Sequence, residues 1–215
     1  MVQRKRLLDP IARNSEILFG LIMALTFTGS ISAATAGRDE VRTILLGAIG
    51  CNIAWGVVDA VMYLLTAITE RGRDLRTARA VRDAATDANA RAAIADALPP
   101  IVAEALPPSA FEAVRRRIAA LPALPEHPRW RADDLRGAAG VFLLVVVSTF
   151  PVVIPFLVFE RTLVAMRVSN GIALLSLFVC GFQLGRYAAN RPWRTGLAMT
   201  LIGAALVALT MALGG

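Results

Sequence analysis

Five runs of apolar residues constrain this chain more than any other feature: Ile17 to Ala36, Ile44 to Ile68, Gly137 to Phe159, Val168 to Tyr187 and Thr195 to Leu213. Each is close to the length of about 20 residues that a helix needs to cross a hydrocarbon core roughly 30 Å thick. The runs lack the alternation of barrel strands, and hydrocarbon offers no partner to an unpaired backbone amide, so helices are the remaining solution. The expected fold is an all-α integral membrane protein with five transmembrane helices and a cytoplasmic helical insert between helices 2 and 3. Composition agrees, with 56% hydrophobic and 18% charged residues. The chain divides accordingly into 1–69 with helices 1 and 2, an Ala/Arg-rich insert over 70–136, and 137–215 with helices 3 to 5.

A basic start "MVQRKR", an apolar run and "SAATAG" also resemble a secretory signal with a small-residue cleavage site. Sixteen residues precede the run, which is long for such a signal, and Glu16 abuts it, so a retained span is expected. Lys and Arg set the orientation. Alternate sides of a five-span arrangement carry 19 and 4 of them, which puts the N-terminus and residues 70–136 in the cytoplasm and the C-terminus outside. The net charge of +7 is thus mainly a topology signal. No nucleic-acid-reading motif accompanies it, and nucleic acid is not an expected partner; the lipid bilayer is.

Cys51 and Cys180 both fall inside spans and read as small buried thiols, since neither a disulfide framework nor a zinc spacing fits them. In the insert, the prolines of two "ALPP" segments predict helices near Arg73 to Leu98, Ile101 to Leu106 and Ser109 to Leu121. Asp83 and Asp87 lie one helical turn apart and could hold a divalent ion, but Arg79 and Arg91 extend the same ladder and favour salt bridges. His127, the single histidine, precedes Pro128 in a turn-like stretch and reads as an ordinary exposed side chain. No Ser-His-Asp set, glycine-rich phosphate loop or metal-hydrolase motif is present, so no enzyme activity and no permanently bound cofactor are expected.

The residues most in need of explanation lie in the first two runs, where "NIAWGVVDAVMYLL" places Asp59 within an apolar span. A carboxylate at mid-bilayer costs roughly 2.5–3.5 kcal/mol on insertion scales. The two runs are joined by a short connection and should pack as an antiparallel hairpin. Depths measured from Ile17 and Ile68 at 1.5 Å per residue put Thr26 and Asp59 both at about 13.5 Å, and Met23 and Met62 both at about 9 Å. Ser30 and Ser32 fall near Asn52, roughly 20–24 Å deep. Glu16, Gly20, Met23 and Ser30 share one face of the first helix, and Asn52, Gly56, Asp59 and Tyr63 one face of the second.

Two readings fit this seam. In one it is an ion pathway: Glu16 at the mouth, Met23 and Met62 as soft contacts, Thr26 and Asn52 as neutral polar contacts, and Asp59 as a carboxylate whose proton an arriving cation displaces. Asp59, Met62 and Met23 are then the candidate metal contacts. In the other, Asp59 hydrogen-bonds Thr26 or Asn52 as glue between helices and the methionines fill gaps. In the third span, Pro151 and Pro155 should kink the helix and free carbonyls near Val147 and Pro151. Gly181 with Gly185, and Ala204, Ala208 and Ala212, are small residues at four-residue spacing and predict close helix contacts within or between chains.

The order of these features resembles the vacuolar iron transporter family: a short basic start, "SEILFGLIMALTFTGSISAA", a second span, a cytoplasmic helical insert, "FPVVIPF", and the ending "RTGLAMTLIGAALVALTMALGG". As architecture the resemblance covers the whole chain. It implies a homodimer that exports iron or manganese, as Fe2+ or Mn2+, from the cytosol in exchange for H+, with the ion path near the first spans. Departures fall where that path would lie. Met23-Ala24 stands where the family usually has Asp-Gly, "VDAVMYLL" replaces its second-span Ser-Met and Gly-Glu-Tyr signature, and the insert is rich in arginine rather than glutamate. The alternative from a different class is a non-transporting membrane interaction or sensor protein that keeps the scaffold, its basic cap binding lipid headgroups or a partner. The preference for Arg over Lys, together with the many alanines, suggests a GC-rich bacterial genome and hence the inner membrane.

Overall fold

The computed structural model describes residues 10–29, 38–188 and 191–212, and among these it is all helical, without strands. The helices are α1 (Pro10–Gly29), α2 (Arg38–Arg82), α3 (Asp87–Ala95), α4 (Pro100–Ala105), α5 (Pro108–Ala119), α6 (Ala132–Val158), α7 (Thr162–Tyr187) and α8 (Pro192–Ala212). They fall into two compact units, one of residues 1–63 with 133–215 and the other of residues 64–132.

Among the described residues four helices are long and apolar enough to cross a membrane: Val41–Arg82, Ala132–Val158, Thr162–Tyr187 and Pro192–Leu209. The apolar part of α1, Asn14–Thr26, is shorter. The first apolar run continues to Ala36, and its end, with Ser30 and Ser32, lies outside the described residues. Outward faces of the long helices remain apolar, as at Leu157 (76% exposed), Leu201 (61%) and Met62 (55%), which suits a hydrocarbon solvent.

In the first unit, Leu18, Leu21, Ala24 and Leu25 of α1 pack with Val152 of α6 and Ala173, Leu177 and Cys180 of α7. Val41 and Leu45 of α2 pack on Val153 of α6. Small residues set how closely these helices approach. A Cβ on Gly20 would collide with the Ser148 hydroxyl and lie 3.0 Å from the Val145 carbonyl oxygen, and one on Gly56 would lie 2.9 Å from the Phe142 ring. One on Gly137 would strike the Tyr63 ring. Hence α1 and α2 both lie directly on α6.

The small-residue pair on α7 works inside the chain. A Cβ on Gly181 would sit 2.9 Å from the Thr195 carbonyl oxygen, and one on Gly185 2.8 Å from the Cα of Pro192, so α8 lies against this stripe. The matching small residues on α8 are Gly196 and Gly203, which face Phe178 and Leu177. Ala204, Ala208 and Ala212 are exposed. Trp193 closes the start of this contact, its ring 5.3 Å from Phe178 and edge-on to Phe182. Both prolines of the third apolar run lie inside α6. In the turn between them the Ser169 hydroxyl of α7 donates to the Val152 carbonyl at 2.7 Å, so this stretch of α6 is tied to its neighbour.

The second unit departs from the expected helix boundaries. α2 does not stop after its apolar run but continues to Arg82, since "TERGRDLRTARAVR" has no proline and a single interior glycine is tolerated. The helix expected over Arg73 to Leu98 is instead interrupted, because the Thr86 hydroxyl accepts from the Asn89 amide at 3.2 Å and caps a new helix, α3. The four-residue ladder from Arg79 to Arg91 requires one continuous helix, and the break divides it. Arg79 instead donates to the Pro125 and Glu126 carbonyls, Arg82 to those of Leu121 and Pro122, and Arg71 to that of Arg129. Three arginines thus hold the segment from Leu121 to Arg129 along α2. Asp87 pairs with Arg115 at 3.6 Å. Arg115 also grips Glu112 with two hydrogen bonds, of 2.8 and 2.9 Å, and this contact holds the Glu112 carboxyl below its ordinary range. Val81, Ala90, Ile94 and Phe111 form the apolar centre of this unit.

Overpacking a helix contact costs about 1–3 kcal/mol. Gly185→Val is expected to lower stability by about that amount in detergent thermal unfolding, because the Pro192 backbone cannot yield as a side chain would. Ala204→Val, on an exposed face of α8, should change it by no more than about 0.5 kcal/mol.

Candidate functional site

Two carboxyl groups meet between α1 and α2. Glu16 lies on the second turn of α1 and Asp59 inside the apolar part of α2, and their side chains are hydrogen-bonded to each other. Both are partly buried. Beside them is a cavity of about 200 Å³ lined by Phe19, Gly20, Ile22, Met23, Trp55, Asp59 and Val145, so its wall is apolar apart from Asp59 and the thioether of Met23. Glycine at position 20 is required here, because α1 passes too close to α6 for any side chain. That close approach also forms the floor of the cavity through Val145.

Farther along α1 the Cys51 thiol donates to the Met23 thioether at 3.4 Å. Next to it in sequence, Asn52 is fully buried. Its amide nitrogen lies 3.5 Å from the Val145 carbonyl oxygen, at the outer limit of a hydrogen bond, and its Oδ1 has no partner. The Ser148 hydroxyl donates to the same carbonyl at 2.7 Å, which makes Val145 a shared acceptor where α1, α2 and α6 meet.

Of the six residues the sequence singles out, Met23 and Asp59 line the cavity, Glu16 is hydrogen-bonded to Asp59, and Asn52 is buried beside Val145, another lining residue. Thr26 and Met62 do not join them. Thr26 is exposed and donates to its own helix at the Ile22 carbonyl, and Met62 points outward. The hairpin register therefore differs from the one inferred from depth, with Glu16 rather than Thr26 opposite Asp59, a slide of roughly three helical turns. The physical reason is that Ile68 does not end a helix: α2 runs on to Arg82, so the edge of the apolar run is no ruler of depth. The face carrying Asn52, Gly56 and Tyr63 packs on α6, with Asp59 at its edge toward α1. Trp55 and Cys51, one and two helical steps from Asp59, are the site residues that the polar pattern did not point out, although their spacing was visible. Among the described residues no group of three or more His, Cys, Asp and Glu gathers at one place, so the carboxylates stand as a pair.

The class this defines is a polytopic α-helical membrane protein with a carboxylate pair inside its helix bundle. Comparison with protein families matches residues 64–215, more than half of the chain, to the VIT family. The chain belongs to that family, the vacuolar iron transporter family whose members are membrane metal-ion transporters and not enzymes. Among curated proteins none matches it. The match begins at Leu64, so α1, the part of α2 up to Tyr63 and both carboxylates lie before the matched residues, while the α6 residues beneath them, such as Val145, lie within.

Because Glu16 and Asp59 touch, their substitutions should not add. In thermal unfolding of Glu16→Gln, Asp59→Asn and the double variant, a coupling of at least about 0.5 kcal/mol is expected, whereas independent sites would add within that margin.

Proposed function

We propose that this protein carries a divalent transition-metal ion, Fe2+ or Mn2+, from the cytoplasm outward in exchange for protons, with Glu16 and Asp59 as the exchanging pair. The observation that carries the reading is the hydrogen bond between two carboxyl groups beside a cavity within apolar helices. Such a bond requires one proton between the two groups, since an ionised carboxylate can only accept. An arriving cation gains two carboxylate ligands once that proton leaves, and returning protons release the ion, which couples the two flows in opposite directions. The thioether of Met23 on the cavity wall suits a transition metal better than magnesium or calcium. VIT family membership supports metal-ion transport as the general activity.

In this reading five spans cross a bacterial inner membrane, α1 completing the set. The N-terminus and the insert over 70–136 are cytoplasmic and the C-terminus is outside. A homodimer places the exposed faces of α1 and α2, including Phe19 and Met62, against lipid or a second copy. One observation favours the second reading, a non-transporting sensor: no third acidic, histidine or cysteine side chain among the described residues completes the pair.

The test is uptake of Fe2+ and of Mn2+ into proteoliposomes under an imposed pH gradient. Gradient-dependent uptake by the unaltered protein is expected, and Asp59→Asn should reduce it at least about tenfold, a loss of about 1.4 kcal/mol in coupling. If folded, inserted protein passes neither ion, the sensor reading replaces transport.

A further inference from the structure

Proton exchange uses the carboxylate end of the α1–α2 seam and leaves the sulfur end unexplained. On α1, Met23 follows Glu16 by seven residues, about 10 Å along the helix, and on α2 Cys51 precedes Asp59 by eight, about 12 Å. Both pairs lie on the facing sides of the two helices, because Glu16 contacts Asp59 and Met23 contacts Cys51. The cavity lies between these levels, with Asp59 and Met23 both in its wall. A thiol and a thioether in contact inside a bilayer could be mere filling, since both are small soft hydrophobes. What sets this pair apart is that Met23 also lines the cavity whose wall carries the Asp59 carboxyl group.

We propose that Cys51 and Met23 form a second, soft station on the ion path, one that binds thiophilic divalent ions and biases the protein toward them over hard ions. This deepens the transport reading given above and rests on it for the direction of travel, but binding itself does not depend on transport. The chemistry is simple. The metal ion forms one bond to the Cys51 Sγ and one to the Met23 Sδ, the Cys51 S–H bond breaks, and its proton is released to solvent. No electrons are transferred. Thiolate with thioether is a soft donor set, favouring Cd2+ and Zn2+ over Mn2+ and Mg2+.

Cd2+ is the probe, because a cadmium–thiolate bond has its own ultraviolet charge-transfer absorption. The full-length protein in detergent is titrated with Cd2+, alone and against excess Mn2+, with proton release followed in parallel. Expected are a saturable absorption band, one proton released per Cd2+ bound, little displacement by Mn2+, loss of the band in Cys51→Ser and its retention in Cys180→Ser. Met23→Leu should keep the band and weaken binding on the order of tenfold, which tests the station even if Cys51→Ser folds poorly. A band that survives in Cys51→Ser, or Cd2+ affinity unchanged in Met23→Leu, overturns the proposal. Gradient-driven uptake of Mn2+ without any cadmium band would overturn the soft station and leave transport standing. A Cys51-dependent band in a protein that transports nothing would do the reverse.

Discussion

Gly20 on α1 and Gly56 on α2 let two helix backbones approach α6, and the remainder of the candidate site depends on that contact. In hydrocarbon there is little hydrophobic drive between helices, so close packing and interhelical hydrogen bonds must hold them. The Val145 carbonyl collects both kinds of contact. Gly20 approaches it from α1, the Asn52 amide reaches toward it from α2, and Ser148 donates to it from its own helix. With each helix held against the same stretch of α6, their mutual register follows. Glu16 then meets Asp59, and Met23 meets Cys51. A side chain at position 20 would separate α1 from α6 and part both pairs together.

That register explains how an aspartate can persist in an apolar helix. Alone at mid-bilayer its carboxylate would cost roughly 2.5–3.5 kcal/mol on insertion scales, and a second lone carboxylate would repeat that cost. Hydrogen-bonded to each other, the two groups satisfy part of each other's hydrogen-bonding capacity. Such a pair is tolerable in the bundle, and in the proposed exchange a cation would replace the proton between the two groups. Nothing comparable is required of the second unit, where arginines on α2 hold the Leu121 to Arg129 segment by backbone carbonyls. There the basic charge secures a loop.

Much of this was legible in the residues, and the parts that were not share a cause. Apolar run length revealed the long helices, and the four-residue spacing of Gly181 and Gly185 revealed a close contact that proves to lie between α7 and α8. Glu16, Met23 and Asp59 stood out because polar and sulfur-bearing side chains are rare in such runs. Their pairing did not, because register between helices depends on where glycines meet a third helix, and depth counted from apolar edges misplaced Thr26 and Met62. The same edge effect hid the continuation of α2 to Arg82, and the Thr86 cap, a single hydroxyl, divided the expected Arg79 to Arg91 ladder. Cys51 was hidden by its chemistry, since a thiol within an apolar run looks like any other small buried residue. Family likeness could not supply the Glu16–Asp59 and Met23–Cys51 pairings either, as its match begins at Leu64.

The shared proton is the central claim, and infrared spectroscopy of the protein in lipid reads it directly, because a protonated carboxyl absorbs apart from a carboxylate. The account predicts one buried protonated-carboxyl band at neutral pH, removed by Fe2+ or Mn2+ and shifted or lost in both Glu16→Gln and Asp59→Asn. A spectrum with no such band, or with one that neither substitution alters, would contradict it.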